Sequence, residues 1–246
     1  MDAKIILTPP CCVVYLQFIS APFVEKLRKH HILLLIERGE SQYLDFKFAI
    51  NDSVKIARSL VAFSNSDGGT LLIGVKDNGV IAGVRTAEEY YMVEAAAQMY
   101  TEPPVFFSSK EWNVSGKKVL EVKVSKSEYG PHSVIEPDGS RKLYLRIGDS
   151  NVMANRLIKS FMKLRQRHKG GYLSFGDHEK QILTFLSENE SITIDQVKAM
   201  VGISREKVEK ILINLLLMNV VMFAWDGFQF VFRIKALPAG SVSQCF

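Results

Sequence analysis

By type and spacing, the residues best suited to chemistry are Glu40, Asp45, Lys47 and Asp77. Gln42 to Phe48 alternates apolar and polar side chains, the pattern of a half-buried strand with Leu44, Phe46 and Phe48 inward. Asp45 and Lys47, two apart, then project to the opposite, wet side. Glu40 lies just ahead of the strand, and Asp77 sits in a turn thirty-two residues after Asp45. A divalent cation that assists phosphodiester cleavage needs two or three converging carboxylates, and a lysine beside them orients or deprotonates the attacking water. Glu40, Asp45 and Asp77 are therefore candidate ligands for Mg2+ or Mn2+, with Lys47 completing a candidate catalytic set. A charged strand face closed by salt bridges has the same spacing, so spacing alone leaves both readings open.

A second constellation concerns phosphate. Arg141 to Lys169 holds nine basic residues, Arg141, Lys142, Arg146, Arg156, Lys159, Lys163, Arg165, Arg167 and Lys169, against one acid, Asp149. Phosphates neutralised by such cations release condensed counterions, so a polyanion is their natural partner; a solvated helix face is the bland alternative. Arg146, next but one to Tyr144, suits a backbone phosphate with a stacked base, or else a salt bridge to a neighbour such as Glu121. Near the C-terminus, Ser204, Arg205 and Lys207 open a helix and could meet a DNA groove, although Glu206 and Glu209 interrupt them. No G-x-x-x-x-G-K-[ST] occurs, since Glu111 stands where the first glycine of a loop ending in Gly116-Lys117-Lys118 would be, so ATP is not expected. The adjacent His30 and His31 point in different directions on a helix and cannot share one metal, and His132 and His178 have no evident partners.

The elements that must position these residues follow from periodicity. Helices are expected over Phe23–Glu37, over Asp52–Ser64 with Asp52 as N-cap and Ile56, Leu60 and Phe63 inward, and over Thr86–Gln98. Asn65-Ser66-Asp67-Gly68-Gly69 is a turn into a central strand, Thr70–Val75, which a second turn returns as a hairpin through Val80–Val84. Lys118–Lys126 and Lys142–Gly148 read as strands with one wet face, carrying Glu121 and Lys123 in the first and Tyr144 and Arg146 in the second. Asn151–Lys169 reads as a helix with Leu157, Phe161 and Leu164 inward and its cations outward. Gly170-Gly171 separates this part from three helices, Asp177–Asn189, Thr193–Val201 and Ser204–Met218, and two strands around Asp226-Gly227, the order of a winged helix-turn-helix.

Read together and in order, Glu40-Ser41, Leu44-Asp45-Phe46-Lys47, Ala62-Phe63-Ser64-Asn65 with Gly68-Gly69, Leu72-Ile73-Gly74-Val75-x-Asp77-x-Gly79, Gly83, Pro131-His132 and Tyr144-x-Arg146-x-Gly148-x-Ser150 resemble the Schlafen AlbA-type domain of bacteria over about 40–154. The resemblance implies an α/β fold related to the Alba proteins and a role in DNA or RNA binding. Members of the family often carry a C-terminal winged helix. For animal relatives that cleave transfer and ribosomal RNA, it implies three acidic catalytic residues, whose positions Glu40, Asp45 and Asp77 occupy here. Asp45 departs from the pattern, which usually has Glu; one methylene fewer retracts the carboxylate and puts cleavage in doubt.

The expected architecture is thus an N-terminal extension (1–20), an α/β, mixed-sheet AlbA/Schlafen-like domain (21–170) and a winged-helix domain (171–246). The extension's apolar run, Ile5–Ile19, is interrupted by Pro9-Pro10 and resembles a signal peptide only weakly. Of the net charge of +5, the last 76 residues hold seven Lys/Arg against eight Asp/Glu, which leaves +6 for the first 170. Hydrophobic residues at 47% and charged residues at 23% suit a soluble globular chain, and Cys11, Cys12 and Cys245 form neither a metal-ligand spacing nor a disulfide framework, as in a reducing cytoplasm. No run approaches the ~20 apolar residues a membrane helix requires. The leading functional reading is a DNA- or RNA-binding protein of the regulator kind, with homo-oligomerisation left open. A Mg2+- or Mn2+-dependent endonuclease comes second, and a protein-interaction module third.

Overall fold

A computed structural model describes residues 30–84, 88–167 and 176–235. Its centre is a mixed four-stranded sheet in the order β1 (Leu44–Lys47), β2 (Gly69–Ile73), β5 (Lys117–Val124) and β4 (Phe107–Val114), with β1 parallel to β2 and the other pairs antiparallel. Both faces are covered. On one, Leu71, Ile73, Leu120 and Val122 pack beneath α2 (Ser53–Asn65) and α3 (Glu88–Met99). On the other, Leu44, Phe46, Leu72 and Val119 pack beneath Ile32, Leu33, Leu35 and Ile36 of α1 (His31–Arg38). Each helix meets the sheet because its apolar residues recur at three- and four-residue intervals.

Local chemistry fixes the helix ends as the sequence predicts for α2. The Asp52 carboxylate accepts the Val54 and Lys55 N–H groups at 2.8 and 3.3 Å, satisfying donors that have no partner within the helix. After Asn65 the chain reverses through Gly68, whose φ of +75° favours glycine and whose N–H reaches the Phe63 carbonyl. For α1, His30 is the cap: its Nδ1 accepts the Ile32 N–H at 3.2 Å. The preceding part of the expected Phe23–Glu37 helix, the extension 1–20, the Thr86 cap, the Gly170-Gly171 boundary and Lys169 lie outside the described residues.

Several expectations are corrected. The Val80–Val84 return strand shrinks to a single Val75–Ile81 bridge, because β2 is already flanked by β1 and β5 and has no free edge. Phe48 is exposed, because β1 ends at Lys47 and the chain leaves the sheet. Residues 150–153 form a strand, β9 (Ser150–Met153), paired with β8 (Tyr144–Ile147), rather than the start of a helix. The helix begins later, as α4 (Arg156–Arg167), where Asn155 Oδ1 accepts the Ile158 N–H at 2.9 Å. Leu157 and Phe161 are buried on it, but Leu164, in the turn beyond the core, is exposed. A small sheet joins β3 (Thr101–Glu102), β6 (Ser133–Ile135) and β7 (Arg141–Lys142).

Three helices and a hairpin follow: α5 (Asp177–Glu188), α6 (Ile194–Val201), α7 (Arg205–Leu217), β10 (Val221–Trp225) and β11 (Phe230–Ile234). Thr193 and Gln196 cap α6 reciprocally, and Gly202 ends it in the left-handed region. Leu143, Leu145, Val152, Leu157 and Phe161 share one apolar cluster with Ile182, Val197, Leu212 and Phe232, so the core runs through from β8 and α4 into the C-terminal helices. Among the described residues, no helix is long and apolar enough to cross a membrane.

Candidate nucleic-acid interface

The strand that carries Asp45 does not offer it to solvent. Asp45 is 3% exposed, on the α2 side of β1, with Ser59 Oγ donating to Oδ2 at 3.2 Å and Lys47 Nζ at 2.9 to 3.0 Å from both oxygens. Glu40 Oε1 accepts the Phe46 N–H at 2.9 Å. Burial raises the Glu40 pKa above its usual value; the Phe46 N–H opposes this, and the neighbouring Asp45 carboxyl adds to the rise. Two of the three candidate ligands thus lie together, while Asp77 is exposed in its turn. Among the described residues, no three His, Cys, Asp or Glu side chains are grouped to hold a metal ion. Asp45 and Lys47 form a hydrogen-bonded pair, the chemistry of a closed polar centre.

Arg146 completes that centre and corrects the expectation of a wet strand face. It is 2% exposed, its Nε donates to the Ser41 carbonyl at 3.1 Å, Nη1 to Asn151 Oδ1 at 3.1 Å and Nη2 to the Leu44 carbonyl at 3.0 Å, and Asp45 lies 3.6 Å away. All three guanidinium nitrogens are engaged inside the protein, which takes three of its five N–H donors. Tyr144 is likewise buried and donates its hydroxyl to Glu136 Oε1 at 2.9 Å; burial first, and that hydrogen bond second, push its pKa up to about 12. Arg58 holds Glu136 below the usual carboxylate range.

Glu121 is also buried, at 2%, beneath α1 instead of on a wet face. Its partners are His31 Nε2 at 2.8 Å, Trp112 Nε1 at 2.8 Å and Lys123 Nζ at 3.3 Å. Burial alone would raise its pKa, but these donors hold it low. His30 and His31 therefore do separate work, one capping and one pairing. His132 is buried, with Nδ1 2.7 Å from the Pro103 carbonyl; that oxygen can only accept, so Nδ1 carries the proton.

Arg141, Arg156, Lys159 and Lys163 reach solvent. Arg156, Lys159 and Lys163 recur at three and four residues on α4 and are exposed or nearly so, opposite Leu157, Ile158 and Phe161. Lys159 Nζ donates to the Arg141 carbonyl at 3.1 Å, which brings Arg141 and Lys142 of β7 to the end of that stripe. Arg141 is paired with Glu102 and Arg156 lies 3.8 Å from Glu209, both at solvent-exposed side chains of the arginines. On α7, Arg205 is held by Asp195 at 3.1 Å and Glu209 at 3.5 Å, while Lys207 is exposed. Sequence reasoning misses Ser59 and Asn151, which tie Asp45 to Arg146 through a 3.0 Å mutual bond. Their only signal is that a buried ion pair needs neutral partners for its remaining donors and acceptors.

Residues 40–155 match the family model described as Schlafen, AlbA_2. The Schlafen AlbA_2-like region contains the whole polar centre and the four-stranded sheet, and ends where α4 begins. Two solved structures are also similar. One, a crystal structure of a protein from Corynebacterium diphtheriae, has a TM-score of 0.38 and 21% identity over 53% of this chain, which spans 28% of that protein. The other, the N-terminal domain of a Nitrosomonas europaea protein described as related to the ATP-dependent DNA helicase RecG, has a TM-score of 0.33 and 17% identity, over 61% of this chain and 97% of that one.

Proposed function

We propose that this chain is a cytoplasmic nucleic-acid-binding protein, of the DNA-binding regulator kind, that holds the sugar-phosphate backbone on α4. The observation that carries this reading is the stripe Arg156, Lys159 and Lys163 on the outer face of α4, continued by Arg141 and Lys142 and free of interleaved acids within the helix. The exposed pair Arg141–Glu102 is of a kind worth only about 0–1 kcal/mol, so a phosphate can displace it, and Arg156, itself exposed, lies 3.8 Å from the half-buried Glu209. The match of residues 40–155 to Schlafen, AlbA_2 supports the same reading through the role that the resemblance implies.

The succession of α5, α6, α7 and hairpin, with Ile192 bridging to Phe232, supports a winged helix-turn-helix. Its Ser204, Arg205 and Lys207 reach solvent at the start of α7, but Arg205 is shared with two acids, which favours an auxiliary contact or a dimerising role for this part over base reading. Cleavage by Glu40, Asp45 and Asp77 with Mg2+ or Mn2+ has in its favour only the closeness of the first two carboxylates.

Electrophoretic shifts with transfer RNA, single-stranded DNA and duplex DNA at two salt concentrations test the proposal. Binding that weakens steeply with salt is expected. Failure to bind any of the three would overturn it, and manganese-dependent cleavage lost in Glu40→Ala would replace it with the nuclease.

A further inference from the structure

Two adjoining hollows, of about 340 and 240 Å³, lie where α4 meets the turn after α2, the segment 126–131 and strand β10. Asn65, Lys126, Met162 and Arg165 line both, so they form one half-open groove. Arg165 falls on α4 a turn beyond Phe161, on the inner stripe of the helix rather than its outer one, which turns its charge toward the groove. Among the described residues it has no ion pair or hydrogen bond. Lys126 is held by Asp67 at 3.1 Å, both half exposed, a pair weak enough to exchange for a phosphate. Asp67, the partner of Lys126, borders one hollow and Glu128 the other, while Lys126 and Arg165 are common to both.

The groove also has surfaces for bases. Met162 lines both hollows, and Met222 and Phe223 line the larger. Tyr129, next in sequence to the lining residues Glu128 and Gly130 of the smaller one, is 90% exposed. Its segment is anchored, since Gln166 Nε2 donates to the Glu128 carbonyl at 3.4 Å and Tyr129 N–H to Ser127 Oγ at 3.3 Å. Each hollow is at or below the lower end of the roughly 300–1,000 Å³ typical of small-molecule pockets. That is room for single nucleotide units, and an unpaired strand can turn its bases into separate hollows without the unpairing cost that a duplex incurs. Cations along the backbone with aromatics beside the bases are the general equipment for single strands.

We propose that this groove binds an unpaired nucleic-acid strand, with Lys126 and Arg165 on its phosphates and Tyr129 stacked on a base. The inference rests on the nucleic-acid reading above and narrows it to a strand type. Fluorescence anisotropy with labelled oligothymidine, oligouridine and a duplex of equal length tests it, the first two arms separating DNA from RNA. Tyr129→Ala and Arg165→Ala are expected to weaken single-strand binding roughly tenfold and duplex binding by less than about twofold, with Tyr129→Phe retaining the affinity. Lys159→Glu/Lys163→Glu is expected to weaken all three. Unchanged single-strand affinity in the groove variants, or equal losses on duplex, would overturn the groove and leave the α4 reading intact. A wild-type protein that binds none of the probes would overturn both.

Discussion

At the scale of single residues, Arg146 decides how the basic segment is to be understood. A guanidinium with all three nitrogens donating indoors, and Asp45 3.6 Å away, is bound into the protein's own polar centre. Arg146→Ala leaves Asp45 with Lys47 but takes the donor from the Ser41 and Leu44 carbonyls, and a buried group left unsatisfied generally costs about 1–3 kcal/mol. Urea unfolding should show that loss, with the salt dependence of nucleic-acid binding unchanged; a stable variant with weakened binding would restore Arg146 to the interface. Tyr144 and Glu136 predict a pH response of definite sign. The tyrosine's folded pKa, about 12, lies above its ordinary value, so its contribution is complete below roughly pH 10 and is lost as pH rises toward 12. Glu136 is held low, so its share is present above the ordinary carboxylate range and is lost as pH falls through its folded value. Unfolding free energies measured against pH should lose the alkaline decline in Tyr144→Phe. An identical decline in the variant would disprove the assignment.

At the scale of elements, α4 depends on where it starts. Asn155 is its cap, and Asn155→Ala should cost about 0.5–2 kcal/mol in thermal or urea unfolding; no loss would show that the cap is dispensable. The same region shows what periodicity can and cannot reveal. Leu44 and Phe46, the Asp52 cap, the inward Ile56, Leu60 and Phe63, and the central place of β2 are all legible, because apolar spacing reports burial directly. The burial of Asp45, Glu121 and Arg146 is not legible. Alternation records which side chains are polar, and a polar face closed by Ser59, His31 or Asn151 has the same pattern as one facing water. Val152 and its neighbours were hidden for a related reason: four residues of β9 fit a helical register as well as a strand, and only pairing with β8 distinguishes them.

At the scale of the whole molecule, the charge is segregated by burial as much as by sequence. Among the described cations of the segment 141–169, Arg146 goes to the interior, while Arg156, Lys159 and Lys163 stand outside on α4 and Arg141 at the end of β7. That helix is also the joint of the molecule, since its inner face shares a core with α5, α6 and α7. Leu212, fully buried in that core, should cost about 2–5 kcal/mol when changed to Ala, and because Leu143, Leu145 and Phe161 belong to the same cluster the chain should unfold in one transition. Calorimetry that resolves an early transition confined to the C-terminal helices would contradict a shared core. A rigid mounting of this kind is what a phosphate-binding helix needs, because its cations then keep their spacing against a regular backbone.

The most direct test of that role is the slope of log binding constant against log salt concentration for the wild type and for Lys159→Gln/Lys163→Gln, on one duplex and one single strand. Each phosphate contact contributes about 0.9 to the slope on duplex DNA and about 0.7 on a single strand, so the double variant should be shallower by roughly 1.8 and 1.4. Equal slopes in the two proteins would mean that α4 does not hold the phosphate backbone.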